Sequence, residues 1–438
     1  MDARELACRV VMDVTDREAM SHIALRRALD ACPEMAGRDR RFAARLVQGT
    51  LEHLLTIDAK LNAVSKTPVR KMKPFVRALL RVSSYQLLYL DSVPASAVCS
   101  EAVKLAKRRG FAGLSGFVNG VLRTIARDPS LPDGDLALRY SMPAWITNRF
   151  LARFGEEETE RILQAFLEPR PVTVRRNLSR VSEKDFLASL AGDGAEAEPL
   201  PLCDGCYFLK NYERIDRLEA FRKGWLFVQD VSSMLAAEAA GVRPGQAVLD
   251  VCAAPGGKTF YVADRMENRG RIVACDKTEA KAALLAENRD RCGFSSVEIR
   301  VRDARAPEPA FTEAFDLVIA DLPCSGLGTL GHKPEIRYRV TEAQIRELAA
   351  LQREILSQVW RYVKPGGVLL YSTCTMTVEE NEENISWFLS ESPFAPDSLD
   401  PYLPESLRGQ GGASGSLTLI PGRHTGDGFF LARCRRTS

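Results

Sequence analysis

The chain has 438 residues, of which 45% are hydrophobic and 27% charged, with a mean hydropathy of −0.15 and a formal net charge of +3. This is the composition of an ordinary folded protein, long enough for two or three domains that each bury a sizeable core. It excludes a membrane-spanning protein, since no apolar run approaches the ~18 residues needed; eleven cysteines over this length exclude a disulfide scaffold; and Met1-Asp-Ala-Arg-Glu5 lacks the charged-then-apolar pattern of a signal peptide, so a cytoplasmic location is expected.

Residues 1–128 read as helices throughout. Ala7, Val10, Val11 and Val14 keep the spacing of one apolar stripe. Phe75–Tyr89 is strongly apolar and predicts the central helix of a bundle. Ser100–Arg109 predicts a helix with a basic tip, and Gly110 suits its C-cap. Phe117–Arg123 belongs to a final helix. Residues 1–150 hold about 24 Lys and Arg against about 15 Asp and Glu, so the basic charge is concentrated here. Such an imbalance suits a polyanion through counterion release, though a solvated helix face gives the same count.

Asp128–Asp135 is a linker by composition. Residues 143–228 read as a small α+β unit. It opens with helices over 144–154 and 156–166 split at Gly155. Strands follow over 171–176, 206–209 and 225–228, with a capped helix start at Ser182 and a polar loop over 192–201. Cys203-Asp-Gly-Cys206 would need two further ligands to hold zinc, and none of the four histidines is near it in sequence. A turn between strands is expected there, and no metal.

From 229 to 438 the pattern becomes strands alternating with helices, the mark of a doubly wound α/β sheet. Seven strands are predicted, over 247–252, 271–275, 297–301, 317–320, 368–372, 417–420 and 429–434, the last two forming an antiparallel ribbon at the sheet edge. Thr341-Glu-Ala-Gln344 is a capping box that opens a long helix.

In an open α/β sheet, ligands bind outside the carboxyl ends of the strands. Those ends carry Asp250–Gly257, Asp276, Asp303, Asp321–Cys324 and Cys374. The turn Cys252-Ala253-Ala254-Pro255-Gly256-Gly257-Lys258 lets backbone approach a ligand closely. It is neither a pyrophosphate fingerprint nor a P-loop. Asp276, 20 residues after Gly256, can accept both ribose hydroxyls. A nucleoside without phosphates fits S-adenosyl-L-methionine, with Asp303 beside the adenine amino group. Asp321-Leu-Pro-Cys324 offers a thiol where amino-group methylases place a stacking aromatic. A thiol is needed when the methyl acceptor is a weakly nucleophilic pyrimidine carbon: attack on carbon 6 makes carbon 5 enamine-like. The thiolate is the competent form, and Lys258 is a candidate for favouring it. Cys324 and Cys374 both stand at carboxyl ends, and spacing does not decide which attacks.

At these residues the chain resembles the RNA (cytosine-5)-methyltransferases of the Sun/nucleolar-protein type. The resemblance rests on Asp250–Thr259, Asp321–Gly326, His332–Arg337, and Tyr371–Thr375 followed by Glu379-Glu380-Asn381. Phe117–Arg123 is similar to the NusB-like helical domain of one subfamily. The resemblance covers nearly the whole chain. It implies a class I methyltransferase sheet preceded by an all-α NusB-like domain and a small RNA-recognition-like α+β domain. It implies Cys374 as the nucleophile, Cys324 as the cysteine that helps resolve the adduct, and Cys252–Lys258, Asp276, Asp303 and Asp321 as the cofactor site. Asp321 also comes into question as a contact to the cytosine edge. It implies 16S ribosomal RNA as partner, with the protein acting as a monomer. Arg108, Arg109, Arg123, Arg337 and Arg339 are candidate phosphate contacts. His332-Lys333 departs from the family pattern at a position that bears on RNA contact and not on the chemistry, and Thr375 stands where relatives often carry serine, a harmless change. The alternative is a non-catalytic RNA-binding assembly factor, which the complete cofactor turn and both thiols disfavour. Methylation of DNA or of an amine is disfavoured by the helical domain and the Pro-Cys turn.

Overall fold

The computed structural model describes residues 1–438. The chain forms two compact units, residues 1–168 with 330–339, and residues 169–329 with 340–438.

In the first unit, helices α1 (Ala3–Asp16), α2 (Ser21–Asp30), α3 (Gly37–Glu52), α4 (Leu54–Val64), α5 (Pro74–Tyr89), α6 (Ala95–Arg108) and α7 (Ser115–Arg127) surround one core. Asp2 caps α1 by accepting from the Glu5 N–H at 2.8 Å. The stripe of Leu6, Ala7, Val10, Val11 and Val14 is buried. α5 is the central helix, packing on α1, α3, α4, α6 and α7. Gly49 makes room for it: a Cβ there would lie 2.0 Å from the Tyr85 ring. Gly110 ends α6 at φ +84°, where a left-handed residue lets the Phe111 N–H reach back to the Ala106 carbonyl at 2.9 Å. The helix pair over Ala144–Ala165 breaks at Gly155, φ +77°, as its sequence predicts.

Leu330–Arg339 belongs to this helical unit, and its charges are structural. Arg337 is 1% exposed and donates to the carbonyls of Glu52 (3.2 Å), Ser141 (3.2 Å) and Leu330 (3.1 Å). Arg339 donates to the carbonyls of Val14 and Ala19, and Tyr338 to that of Leu51. The expectation that Arg337 meets phosphate is therefore wrong: the side chain is buried, with both terminal nitrogens on main-chain carbonyls; Arg339 is partly buried and gives its second terminal nitrogen to Met20 Sδ. Arg108 is paired with Asp2 and Glu5, and Arg109 with Glu5. Arg123 remains at the surface, bonded only within its helix to Asn119.

The second unit starts with a four-stranded antiparallel sheet, β1 (Val172–Arg176), β2 (Glu196–Pro199), β3 (Cys206–Lys210) and β4 (Leu226–Val228), in the order β2-β3-β1-β4. β2 occupies part of the expected loop; its Glu-Ala-Glu-Pro sequence carries no apolar alternation, and pairing with β3 alone makes it a strand. Cys203 and Cys206 are free thiols in the β2–β3 turn. One face buries Val174, Tyr207, Leu209 and Leu226 under the helix Glu183–Gly192. The other face is covered as well. Arg175, 3% exposed, pairs with Asp264 at 3.1 Å and stacks on Tyr261, while Cys206 and Phe208 pack with Val231, Met234 and Tyr261. This face is thus a docking surface for the helices Val231–Glu238 and Gly257–Arg265, and base stacking on it is blocked.

The main sheet consists of β5 (Ala247–Asp250), β6 (Arg271–Asp276), β7 (Val297–Val301), β8 (Phe315–Asp321), β9 (Val363–Thr373), β10 (Phe394–Pro396), β11 (Ser416–Leu419) and β12 (Phe429–Arg436). Its order is β10-β12-β9-β8-β5-β6-β7, with β11 also pairing to β12. β5 to β9 are parallel, and β12 runs antiparallel beside β9. That makes eight strands, one more than expected; Phe-Ala-Pro in β10 is too short to show a period. Alternate residues feed two cores: Val248, Ile272, Leu317 and Leu370 on one face, Leu249, Val273, Val318 and Leu369 on the other. Strand order reverses between β5 and β8, which opens a crevice at their carboxyl ends.

Candidate active site

The crevice is floored by the turn after β5. Gly256 sits at φ +105°, and a Cβ there would lie 2.1 Å from the Phe260 ring, so only glycine permits this turn. Gly257 starts the helix Gly257–Arg265 beneath Gln229. The Ala253 N–H donates to the Cys275 carbonyl at 2.8 Å, and the Ala254 N–H to Asp276 Oδ2 at 3.1 Å. Asp276, buried, thus ties the turn to the end of β6 while Lys281 pairs with its other oxygen. Asp303, beyond the end of β7, is held by Arg305 and Lys277; the hydrogen bonds from Arg305 keep its carboxyl well below the usual range. Cys252 is half-buried in the turn, and burial followed by the charge of Asp250 pushes its thiol up.

Asp250 is 1% exposed and accepts from Thr259 Oγ1 at 2.6 Å. Its Oδ1 is buried with no partner. Burial raises its carboxyl from an ordinary 3.8 to about 7.

Lys258 projects from the first helical turn. Its ammonium lies 2.7 Å from Asp321 Oδ2, 3.0 Å from Ser233 Oγ, and 5.0 Å from the centre of the Phe429 ring. Asp321 Oδ1 accepts from Ser372 Oγ at 2.7 Å. Asp321 is therefore an oriented carboxylate at the end of β8, clamped from β9 and from the cofactor turn. Ser233 and Phe429 had no signal of their own in the sequence. Ser372 precedes Cys374 by two residues, a polar break in an apolar strand that marks the strand's approach to the site.

Cys324 and Cys374, at the ends of the adjacent parallel strands β8 and β9, bring their sulfurs within 3.3 Å. Both are free thiols and half-buried. The contact is far longer than the ~2.05 Å of a disulfide, and suits a thiol hydrogen bond. Its bond to Cys374, then burial and the charge of Cys374, hold the Cys324 thiol well above its ordinary value. The loops are tied further: Gly328 N–H donates to the Cys374 carbonyl at 3.0 Å, and Gly428 N–H to the Gly328 carbonyl at 2.9 Å.

The turn, Asp276 and Asp303 line successive strand ends, and all three offer acceptors for a neutral nucleoside. Gly256, in the left-handed region, keeps the β5 turn beside them tight and free of side chains. The residues present therefore fit S-adenosyl-L-methionine.

Comparison with known proteins shows the family. Residues 239–435 match the family model for 16S rRNA methyltransferase RsmB/F, residues 1–127 that of the NusB family, and residues 142–216 that of the RsmF/B-like ferredoxin-like domain. The chain is 36% identical to the probable ribosomal RNA small subunit methyltransferase B of Bacillus subtilis, covering 99% of this chain and 98% of that one. It is 35% identical to the corresponding protein of Synechocystis over 100% of both. The crystal structure of PH0851 superposes with a TM-score of 0.84 over 99% of each chain at 29% identity. That of NSun6 from Pyrococcus horikoshii with SFG superposes at 0.60 over 68% of this chain and 98% of that one, at 22% identity, a likeness of fold. The chain belongs to the RsmB/F family of 16S rRNA methyltransferases.

Proposed function

We propose that this protein methylates carbon 5 of a cytosine in 16S ribosomal RNA through a transient bond between Cys374 and carbon 6. The observation that carries this reading is the thiol pair, 3.3 Å apart at the carboxyl ends of β8 and β9, beside the Lys258–Asp321 pair. Two thiols in contact have no use in methylating an amine. For a ring carbon they supply both a nucleophile and a partner for it.

S-adenosyl-L-methionine, held by Cys252–Lys258, Asp276 and Asp303, supplies the electrophilic methyl group. The protein's own residues prepare the base to receive it. Cys374 gives up its proton to solvent, and the S–H of Cys324 stabilises the resulting thiolate by a hydrogen bond. The Cys374 sulfur then bonds to carbon 6, and the electron pair of the 5,6 double bond moves toward carbon 5. Asp321, fixed by Lys258 and Ser372, is placed to accept a hydrogen bond from the cytosine edge. After carbon 5 is methylated, its proton must leave; the Cys324 sulfur takes it as its own S–H proton passes to solvent. The pair left by that proton re-forms the 5,6 double bond as the carbon 6–sulfur bond breaks, and the carbon 6–sulfur pair leaves with Cys374. A cytosine in a duplex cannot offer carbon 6 to a thiolate without leaving the stack, so an unpaired or early-folding segment is the natural substrate.

The test is methyl transfer from labelled donor to a 16S rRNA transcript, with the product mapped by bisulfite sequencing. One bisulfite-resistant cytosine that appears only with active protein is expected. Labelled RNA in which every cytosine still converts would overturn the carbon 5 assignment.

A further inference from the structure

Glu380 is fully buried, yet its four hydrogen-bond donors are all neutral. Oε1 accepts from the Ser325 N–H at 2.8 Å and Gln352 Nε2 at 3.1 Å; Oε2 accepts from Ser325 Oγ at 2.5 Å and Thr377 Oγ1 at 2.7 Å. A buried carboxylate without a cation is expensive unless every lone pair is met. Three of the four donors come from the two loops that carry the thiols, and the fourth, Gln352, comes from the helix Glu342–Val359. Ser325 follows Cys324. Since its hydroxyl proton goes to the carboxylate, its oxygen accepts from Thr375 Oγ1 at 2.7 Å, and Thr375 follows Cys374. The chain Thr375–Ser325–Glu380 is polarised in one direction, which strengthens each bond. Other partners complete the clamp. Gln352 also donates to the Pro323 carbonyl at 2.9 Å, and Asn381 to the Thr375 carbonyl at 3.0 Å.

We propose that Glu380 is a positioning residue for the thiol pair: its carboxylate locks the Cys324 and Cys374 loops together, sets the spacing of the two sulfurs, and keeps Cys324 the protonated partner. The proposal rests on the covalent reading above and deepens it. Both residues flanking Cys324 are held by this one network, and a negative charge that no cation neutralises lies behind that loop. The charge disfavours a second anion at Cys324 and leaves Cys374 as the sulfur that ionises.

The experiment compares Glu380→Gln with the parent chain in two readouts. Glutamine keeps the shape but turns one acceptor into a donor that faces donors. A ~1 Å misplacement of reacting groups costs on the order of 10²-fold, so kcat should fall by about that factor. A positioning role leaves uniform binding intact, so KM for RNA and affinity for S-adenosyl-L-methionine should stay within ~2-fold. In the free protein, iodoacetamide labelling read residue by residue should favour Cys374 over Cys324 by at least ~10-fold in the parent and lose that preference in Glu380→Gln. Thr375→Val tests the same relay with the carboxylate left in place, and carries the test if Glu380→Gln does not fold. It should lower kcat less than Glu380→Gln and shift the labelling ratio the same way. Unchanged kcat with an unchanged labelling ratio would overturn the proposal, as would parallel losses of kcat and cofactor affinity. Methylation surviving in Cys374→Ala would instead sink the covalent reading, while the labelling ratio would still report on Glu380.

Discussion

Cys324 Sγ and Cys374 Sγ lie 3.3 Å apart although 50 residues separate them in the chain. The contact follows from topology. β8 and β9 are parallel neighbours, with Asp321 opposite Ser372 in register, so three residues beyond Asp321 and two beyond Ser372 the strands end on the same side. A helical crossover between the two strands is what brings distant cysteines to one edge.

The Lys258–Asp321 pair gives the first prediction. Asp321→Asn removes the charge that orients Lys258 and the acceptor offered to the base. Loss of a preorganised polar contact of this kind lowers kcat by about 10²–10³-fold. Steady-state kinetics should show that loss. Full activity in Asp321→Asn would remove this residue from the chemistry.

Asp250 predicts how stability depends on pH. Its carboxyl titrates near 7 in the folded chain against 3.8 ordinarily, so folding favours the protonated form. Its contribution is complete below about pH 4 and is lost as pH rises through 7, a swing of at most about 4 kcal/mol. Urea unfolding of the cofactor-free protein between pH 5 and 8 should show this decline, and Asp250→Asn should flatten it. A variant whose stability falls with pH as steeply as the parent's would contradict the assignment.

Arg337 should be a stability residue and not an RNA contact. Arg337→Met leaves three main-chain carbonyls without their donor. Leaving a buried acceptor unsatisfied costs about 1–3 kcal/mol, read as a lowered urea midpoint. The salt dependence of RNA binding should keep its slope. A slope reduced by about one unit at unchanged stability would mark a phosphate contact instead.

Gly256 should tolerate no side chain. Gly256→Ala combines a left-handed φ, worth about 1–3 kcal/mol of strain, with a Cβ driven into Phe260. Affinity for S-adenosyl-L-methionine should fall at least ~10-fold by calorimetry. Parental affinity would show that the turn does not shape the cofactor site.

Much of the site could be read from the chain because parallel strands export their chemistry to one edge. Asp250, Asp276, Asp321 and Cys374 each follow an apolar run, and the sheet rule then places them together. Glu380 was invisible in that role. It follows Cys374 by six residues, and nothing local shows that the chain turns back to bury its carboxylate under Ser325. Arg337 misled for a related reason. A basic stretch reads as solvent-facing, but Leu330–Arg339 is claimed by a helical unit some 300 residues earlier in sequence. The small sheet shows the same limit. Its alternation predicts strands, but only the buried Arg175–Asp264 pair reveals that both of its faces are occupied.

The central claim is that one sulfur bonds to the base and the other does not. Each alanine variant, incubated with 16S rRNA transcript and S-adenosyl-L-methionine, should be run on a denaturing gel. Cys324→Ala should accumulate a protein–RNA adduct that parent and Cys374→Ala do not form. An adduct that persists in Cys374→Ala, or methylation by that variant at the parental rate, would contradict the account.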